Sequence, residues 1–241
     1  MSNKAVKTRK VKKKKLNIKK VFFLLCFISA LIIINNVVSK IKVSTINVIG
    51  NDYLSSKQII KELKLNENPS FFGSTTSKIC KQLTKNYLVN TCNVKHNKDL
   101  SITIEITENK PLFFYNNDQK LVLSNGKFID LRNIYGVPTL VNYVPKKILD
   151  KLITGLKDID SDIIRATSEI EYSPSQNGDG SYIDEGRFVL SMNDGNTVYI
   201  NNKHIDVLNY YKKVYASIGD KRGTYYFDCD FDNYYFEEYA S

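Results

Sequence analysis

The sequence has 241 residues, with 35 Lys and Arg against 25 Asp and Glu, no Trp, two His, four Cys and a formal charge of +10. That length is ample for a packed core and suits one large or two small domains. With 42% hydrophobic and 25% charged residues the chain is neither disordered throughout nor a polytopic membrane protein, and four cysteines are too few for a disulfide scaffold.

The charge is concentrated at the N-terminus. Residues 1–20 hold nine Lys and one Arg, no acidic residue precedes Asp52, and residues 1–51 carry +12. The other 190 residues hold 23 basic and 25 acidic groups, a net of −2. A nucleic-acid-binding domain needs a basic stripe on its folded surface. The body has no net excess to form one, so no nucleic-acid partner is expected.

After Lys19-Lys20 the run Val21 to Ile34 is apolar with no polar face, and Asn35-Asn36-Val37-Val38 and Lys40 follow. As a helix, Val21 to Val38 spans ~27 Å, just short of the ~30 Å hydrocarbon core, and lysines on both sides can snorkel to cover the difference. The segment is expected to be an uncleaved single-pass anchor. The competing reading is a signal peptide cut near Val37-Val38-Ser39, against which stand the 20-residue basic region and the Asn35-Asn36 interruption. The charge asymmetry predicts a cytoplasmic N-terminus and an outward-facing body from about residue 40. The basic tail can also touch anionic lipid.

Residues 42–115 read as strand, helix, helix, strand, strand. Val43, Ile46, Val48 and Ile49 form a β-rich run ending at the turn cluster Gly50-Asn51-Asp52. Ser55-Ser56-Lys57-Gln58 has capping-box spacing, in which Ser and Gln side chains satisfy helix N–H groups reciprocally. The helix it opens turns Ile59, Ile60 and Leu63 inward and ends before Pro69. A second helix around 75–86 carries Ile79, Cys80, Leu83 and Tyr87. Strands follow at Thr91–His96 and Leu100–Thr107, the latter alternating strictly between apolar and polar residues.

Further on, Asn125-Gly126 between Leu121–Leu123 and Lys127–Asp130 predicts a hairpin. Gly136-Val137-Pro138-Thr139-Leu140 predicts a loop before a helix opened by Pro145, with Ile148, Leu149, Leu152, Ile153 and Leu156 on one face. Arg187–Met192 and Asn196–Ile200 flank the turn Asp194-Gly195. A last helix, about His204 to Ile218, stops at Gly219. In Tyr225–Asp232 the acidic Asp228, Asp230 and Asp232 alternate with Phe227, Cys229 and Phe231. The segment Tyr234–Tyr239 is either a satellite packing segment or part of the same surface.

Two halves of this pattern together resemble a known family. Ile46-x-Val48-x-Gly50-Asn51-x-x-Leu54-Ser55-x-x-Gln58-Ile59, then Leu63-x-Leu65, Phe71 or Phe72, Leu88-Val89, Val94 and Leu100-x-Ile102-x-Ile104 closing on Glu108-x-x-Pro111, is similar to a POTRA domain of the FtsQ/DivIB type. A basic tail and single anchor directly before the domain also match. Lys95-His96-Asn97-Lys98 departs from the aromatic-Pro turn often found there. Gly136 to Leu140 and Asp194-Gly195-x-x-Val198 are similar, more loosely, to landmarks of the β domain that follows it.

The resemblance implies an α+β fold: a single N-terminal transmembrane helix, then a β-α-α-β-β POTRA domain and a mixed β domain with two helices. The expected divisions are a cytoplasmic basic tail at 1–20, a transmembrane helix at 21–39, the POTRA domain at 42–112, the β domain at 113–232 and an aromatic and acidic tail at 233–241. It implies a scaffold of the bacterial division machinery at the septal membrane, binding DivIC/FtsB-like and FtsL-like proteins to coordinate peptidoglycan synthesis. In the family the last β strands receive FtsB or DivIC by strand addition, which places the partner-binding edge here at Thr224, Tyr225, Tyr226, Phe227, Asp228, Asp230 and Phe231. An internal strand with a solvated acidic face is the alternative for that segment. Gly50, Asn51, Ser55, Gln58, Glu108 and Pro111 are expected to be structural, Gly50 supplying a turn and Ser55 a cap.

No enzyme is expected. Asp228-x-Asp230-x-Asp232 begins like a calcium loop, but Asn233 and Tyr239 stand where Gly and Glu are needed. Asn177-Gly178-Asp179-Gly180 reads as a polar loop, and His96 and His204 lack zinc spacing. No phosphate loop, dinucleotide fingerprint or nucleophile elbow occurs, so no metal, cofactor or catalytic residue is assigned. Cys80 and Cys92 either pair with each other or stay as two buried thiols. Two rival readings are a POTRA-bearing polypeptide-transport or chaperone component, which would carry repeated POTRA units or a barrel, and a secreted hydrolase.

Overall fold

The computed structural model describes residues 18–130, 136–219, 221–229 and 234–240. Its first element is helix α1, Ile18–Ser39, 22 residues with none buried against the rest of the chain. At ~1.5 Å per residue it spans ~33 Å, enough by length and composition to cross a membrane.

Strand β1 (Ile46–Ile49), helices α2 (Ser56–Glu62) and α3 (Thr76–Leu83), and strands β2 (Val89–His96) and β3 (Ile102–Glu108) follow. β3 lies in the middle, parallel to β1 and antiparallel to β2. The alternation in β3 sends Ile102, Ile104 and Ile106 to one face, where they bury with Ile59, Leu63, Ile79 and Leu83 of the helices. Each such side chain is worth about 1.5–3 kcal/mol of burial. The helix ends are set as the residues require. Ser55 and Gln58 form the capping box, and Thr75 caps α3. α2 closes in a Schellman motif, with Leu65 N–H on Ile60 O, Lys64 N–H on Lys61 O and Lys64 left-handed at φ 55°. Cys80 on α3 and Cys92 on β2 form a disulfide with Cα atoms 5.4 Å apart, which resolves the two readings of that pair.

The second unit holds strands β4 (Pro111–Tyr115), β5 (Lys120–Leu123), β6 (Phe128–Ile129) and β7 (Thr139–Leu140), helices α4 (Lys146–Leu156) and α5 (Ser161–Ala166), and strands β8 (Thr167–Tyr172), β9 (Ser175–Gln176), β10 (Tyr182–Asp184), β11 (Arg187–Met192) and β12 (Thr197–Asn201). A 3-10 segment (Ile205–Tyr210), helix α6 (Tyr211–Ile218), and strands β13 (Gly223–Tyr226) and β14 (Tyr235–Glu238) complete it. Among the described residues nine strands form one sheet in the order β14-β13-β12-β11-β8-β7-β4-β5-β6, and β9 and β10 form a separate hairpin. Ile148, Leu149, Leu152, Ile153 and Leu156 are all buried on α4, as the 3–4 spacing predicts, and they share one core with Phe188, Leu190, Val198, Ile200 and Tyr225.

Between the units, Asn109 donates from its backbone to Leu88 O (2.7 Å) and from its side chain to Tyr87 O (2.9 Å). Leu88, Leu121, Leu123 and Ile129 form a small apolar cluster there.

Four local readings differ from the structure. Thr139–Leu140, expected as a loop, is a strand paired in parallel on both sides, with β4 and β8. Two residues are too few to show a period, and Leu140 is wholly buried. The short helix α5 was not expected; Asp160 caps it, and Ile163 and Ile164 bury it. The helix expected from His204 begins as 3-10 and becomes α-helical only at Tyr211. The run expected to alternate from Tyr225 to Asp232 is strand only to Tyr226, and Asp230, Phe231 and Asp232 lie outside the described residues.

Candidate partner-binding edge

The C-terminal end of the large sheet is built from β11 to β14. Asp194-Gly195 turns the chain from β11 to β12, with Gly195 at φ 87°, and Asn196 follows, buried to 2% exposure. Asn196 Oδ1 accepts the Gly223 N–H at 2.9 Å and so fixes the start of β13. Asn196 Nδ2 donates to Tyr211 Oη (3.1 Å), and Tyr211 Oη donates to Asp194 Oδ2 (2.7 Å). Burial, then the bond to Asp194, pushes the Tyr211 hydroxyl far above its ordinary range, so it stays a neutral donor. A satisfied buried network of this kind holds one register of the strands around it.

β13 runs parallel to β12, with Thr197 opposite Thr224 and Tyr199 opposite Tyr226. Its inward Tyr225 is fully buried and meets the rings of Tyr211 (5.0 Å) and Phe236 (4.9 Å). Burial pushes the Tyr225 phenol up to about 12. On the other face Tyr199, Tyr226 and Tyr235 stack in a row across three strands, at 5.2 and 4.3 Å between centroids. The Arg187 guanidinium covers Tyr199 at 3.9 Å, and Arg187 Nε donates to Asp228 Oδ2 at 2.6 Å.

The segment predicted as the outer edge is therefore one strand in from it. Thr224, Tyr225 and Tyr226 lie in β13, which β12 flanks on one side and β14 on the other. Phe227 is buried just beyond, and its N–H bonds Tyr199 O at 2.9 Å. Asp228 is held by Arg187, and Asp230 and Phe231 lie outside the described residues. Among the described residues β14 is the outermost strand. Tyr239 N–H bonds Arg222 O (3.0 Å), and Tyr239 Oη donates to Thr197 Oγ1 (2.7 Å). Glu237 accepts from Tyr226 Oη (3.0 Å), and Lys221 pairs with Glu238 (2.7 Å). With alternate N–H groups of β14 turned toward β13, Phe236 and Glu238 present their backbone groups outward. Tyr234–Tyr239 was expected as a satellite packing segment or part of the contact surface; its residues do not alternate, so nothing in their order marked a strand.

Of the residues expected to be structural, all but Pro111 meet around the loop that leads into α2. Gly50 is left-handed at φ 79°, and a Cβ there would stand 2.0 Å from Ile106 O. Asn51 Nδ2 donates to Leu54 O (2.7 Å) and Ser56 Oγ (3.2 Å). The Glu108 carboxylate accepts the N–H groups of Asp52, Tyr53 and Leu54 at 3.0, 2.6 and 2.9 Å. Pro111 opens β4 opposite Leu123. His96 Nε2 bonds Ser74 O at 2.8 Å, and His204 precedes the 3-10 segment. Among the described residues no group of three His, Cys, Asp or Glu is placed to hold a metal ion.

Residues 41–109 match the model of the POTRA domain, FtsQ-type, and residues 114–229 match that of the FtsQ/DivIB cell-division protein C-terminal region. A cell division protein DivIB of Bacillus anthracis is 30% identical over 196 residues, covering 78% of this chain and 71% of that protein. The chain belongs to the FtsQ/DivIB family of cell-division proteins. DivIB of Bacillus subtilis is 29% identical over 226 residues, 91% of this chain and 82% of that protein. A solved extracytoplasmic domain of DivIB from Geobacillus stearothermophilus aligns with 46% of this chain and 95% of its own at 22% identity and a TM-score of 0.37. The residues matched to the C-terminal model end at 229, and β14 follows at Tyr235–Glu238. Family membership and the apolar helix α1 together make this a membrane-anchored division protein.

Proposed function

We propose that this FtsQ/DivIB protein is a non-catalytic scaffold that gathers DivIC/FtsB-like and FtsL-like division proteins at the septal membrane and thereby helps coordinate peptidoglycan synthesis. Its basic N-terminus faces the cytoplasm and its two folded units face outward, in keeping with the charge asymmetry around α1. Confinement by the anchor raises the effective concentration of the body for other anchored partners.

The observation that carries the reading is the C-terminal end of the nine-stranded sheet, where β14 is outermost and the groups of Phe236 and Glu238 face outward. Unpaired N–H and C=O groups on an edge can be satisfied by a strand from another chain. In this arrangement Thr224, Tyr225, Tyr226, Phe227 and Asp228 support the docking strand from beneath.

Capture of a DivIC-like partner by the full chain, compared with a chain lacking residues 234–241, tests this. Loss of capture is the expected result, and unchanged capture overturns docking at the sheet end. Stronger capture by the shortened chain would move the docking edge to Thr224–Tyr226, with β14 acting as its cover. Localisation in dividing cells tests the cellular part, where a diffuse membrane signal contradicts a septal role.

A further inference from the structure

We propose that the loop between α2 and α3, carrying Phe72 with Lys64 and Lys78 beside it, rests on the surface of the membrane that α1 enters, its lysines on anionic lipid headgroups. The inference is independent of the division partner and of which strand docks it.

The placement starts from the chain just after the anchor. Lys42 bridges Ser70 in antiparallel fashion, the Val43 N–H bonds Pro69 O (3.1 Å) and the Phe71 N–H bonds Ile41 O (2.9 Å). Ile41 and Val43 pack on the core of this unit, which fixes the pairing. Three residues of chain from Ser39 to Lys42 reach at most ~11 Å. The strand spacing adds ~5 Å, so Ser70 is held within ~16 Å of the end of α1. Because α1 at ~33 Å fills a ~30 Å hydrocarbon core, Ser39 stands near the headgroup layer. The 69–73 loop is thereby tied to the membrane side of the folded unit.

The side chains there suit an anionic interface. Phe71 is buried, while its neighbour Phe72 is 52% exposed and meets it edge-to-face at 5.2 Å. A cleft of about 290 Å³ beside them is lined by Lys64, Lys78, Ser70, Gly73 and Ser74, among others. Both lysines are exposed, and neither forms an ion pair among the described residues. The charge is local to this unit: residues 41–109 hold nine Lys against six acidic residues, whereas residues 110–241 hold 15 basic and 19 acidic groups. An exposed aromatic next to unpaired lysines, tethered close to the end of the anchor, has the two components of surface binding, apolar insertion and attraction to anionic lipid.

The chain contains no Trp, so Phe72→Trp gives a single reporter in the full chain, reconstituted in lipid nanodiscs. Tyr143→Trp, at a site 65% exposed in the second unit, is the control. The expected result is blue-shifted emission from the Phe72→Trp reporter and quenching by bromolipid, stronger in discs containing phosphatidylglycerol than in phosphatidylcholine discs. Adding Lys64→Glu and Lys78→Glu should cut that quenching by about half or more. Emission typical of water with no more quenching than the control overturns the proposal. Quenching that is equal in both lipids and unmoved by the charge reversals overturns the headgroup contact. All these positions are exposed, and matching thermal melts confirm that the variants fold.

Discussion

Glu108 accepts the backbone N–H of Tyr53 at 2.6 Å across 55 residues of sequence, and its carboxylate also holds the N–H groups of Asp52 and Leu54. The end of β3 thus closes the loop that leads into α2, and the same loop needs Gly50 to pass over Ile106 O. Removing the acceptor leaves three amide donors to find water in a partly buried turn. Glu108→Ala is expected to cost about 2 kcal/mol, and Glu108→Gln less, because one oxygen still accepts. Gly50→Ala should cost at least ~2 kcal/mol from the left-handed backbone and the 2.0 Å approach together. Urea unfolding of the variants checks both. Losses under ~0.5 kcal/mol would show that the loop is held by other contacts.

The disulfide Cys80–Cys92 joins α3 to β2 across 12 positions. Closing so short a loop lowers the entropy of the unfolded chain, worth up to ~3 kcal/mol in the chain-entropy account. Cys80→Ser with Cys92→Ser, or reduction of the native chain, should lower the melting temperature of this unit by several degrees. In the denatured, unreduced chain two thiols should titrate rather than four. A count of four would show that the pair does not form.

These two relationships differ in how far they were legible beforehand. The capping box at Ser55 and Gln58, the apolar face of α4 and the alternation of β3 follow from local spacing, and the structure keeps each of them. Cys80 and Cys92 fell on neighbouring elements, but proximity alone left pairing open. What local spacing cannot carry is the order of strands. β13 reaches β12 only after the 3-10 segment and α6, and it pairs in parallel, a choice fixed by the buried Asn196 rather than by any period in Gly223–Tyr226. The edge was accordingly expected one strand too early, because an alternating run says which side chains face the core and is silent about what lies beside the backbone. The two-residue β7 was hidden for a related reason, since its pairing is dictated wholly by β4 and β8.

Gly223 tests the attachment of the outer strand. A Cβ at this position would come 2.1 Å from Glu237 O and 2.7 Å from the Phe236 ring, so the two strands approach there as only glycine allows. Gly223→Val should free β14 while the buried β13 contacts of Tyr225 persist. Hydrogen exchange in residues 234–240 is expected to rise by tenfold or more, a shift of about 1.4 kcal/mol in local opening. Exchange in Thr197–Asn201 should change far less. Uniform loss of protection across the sheet would mean instead that Gly223 supports the whole core.

The Asp194–Asn196–Tyr211 network predicts how stability responds to alkali. Burial holds the Tyr211 hydroxyl well above its ordinary value of 10.0, and it pushes Tyr225 up to about 12. In the unfolded chain both phenols ionise near the ordinary value. Between that value and the folded one, the native state keeps protons that the unfolded state has lost. Their contribution to stability is therefore complete below about pH 10 and falls as pH rises above it, by about 1.4 kcal/mol per pH unit for each group. Tyr211→Phe removes one such group, so its urea midpoint should fall less steeply from about pH 10 to about pH 11.5 than that of the native chain. At neutral pH the same variant should be less stable by about 1–2 kcal/mol, because Asp194 and Asn196 lose their partner. Unfolding curves across that range, with tyrosinate absorbance followed in parallel, separate the two effects. Equal alkaline slopes for the variant and the native chain would place the ionising phenols outside this network.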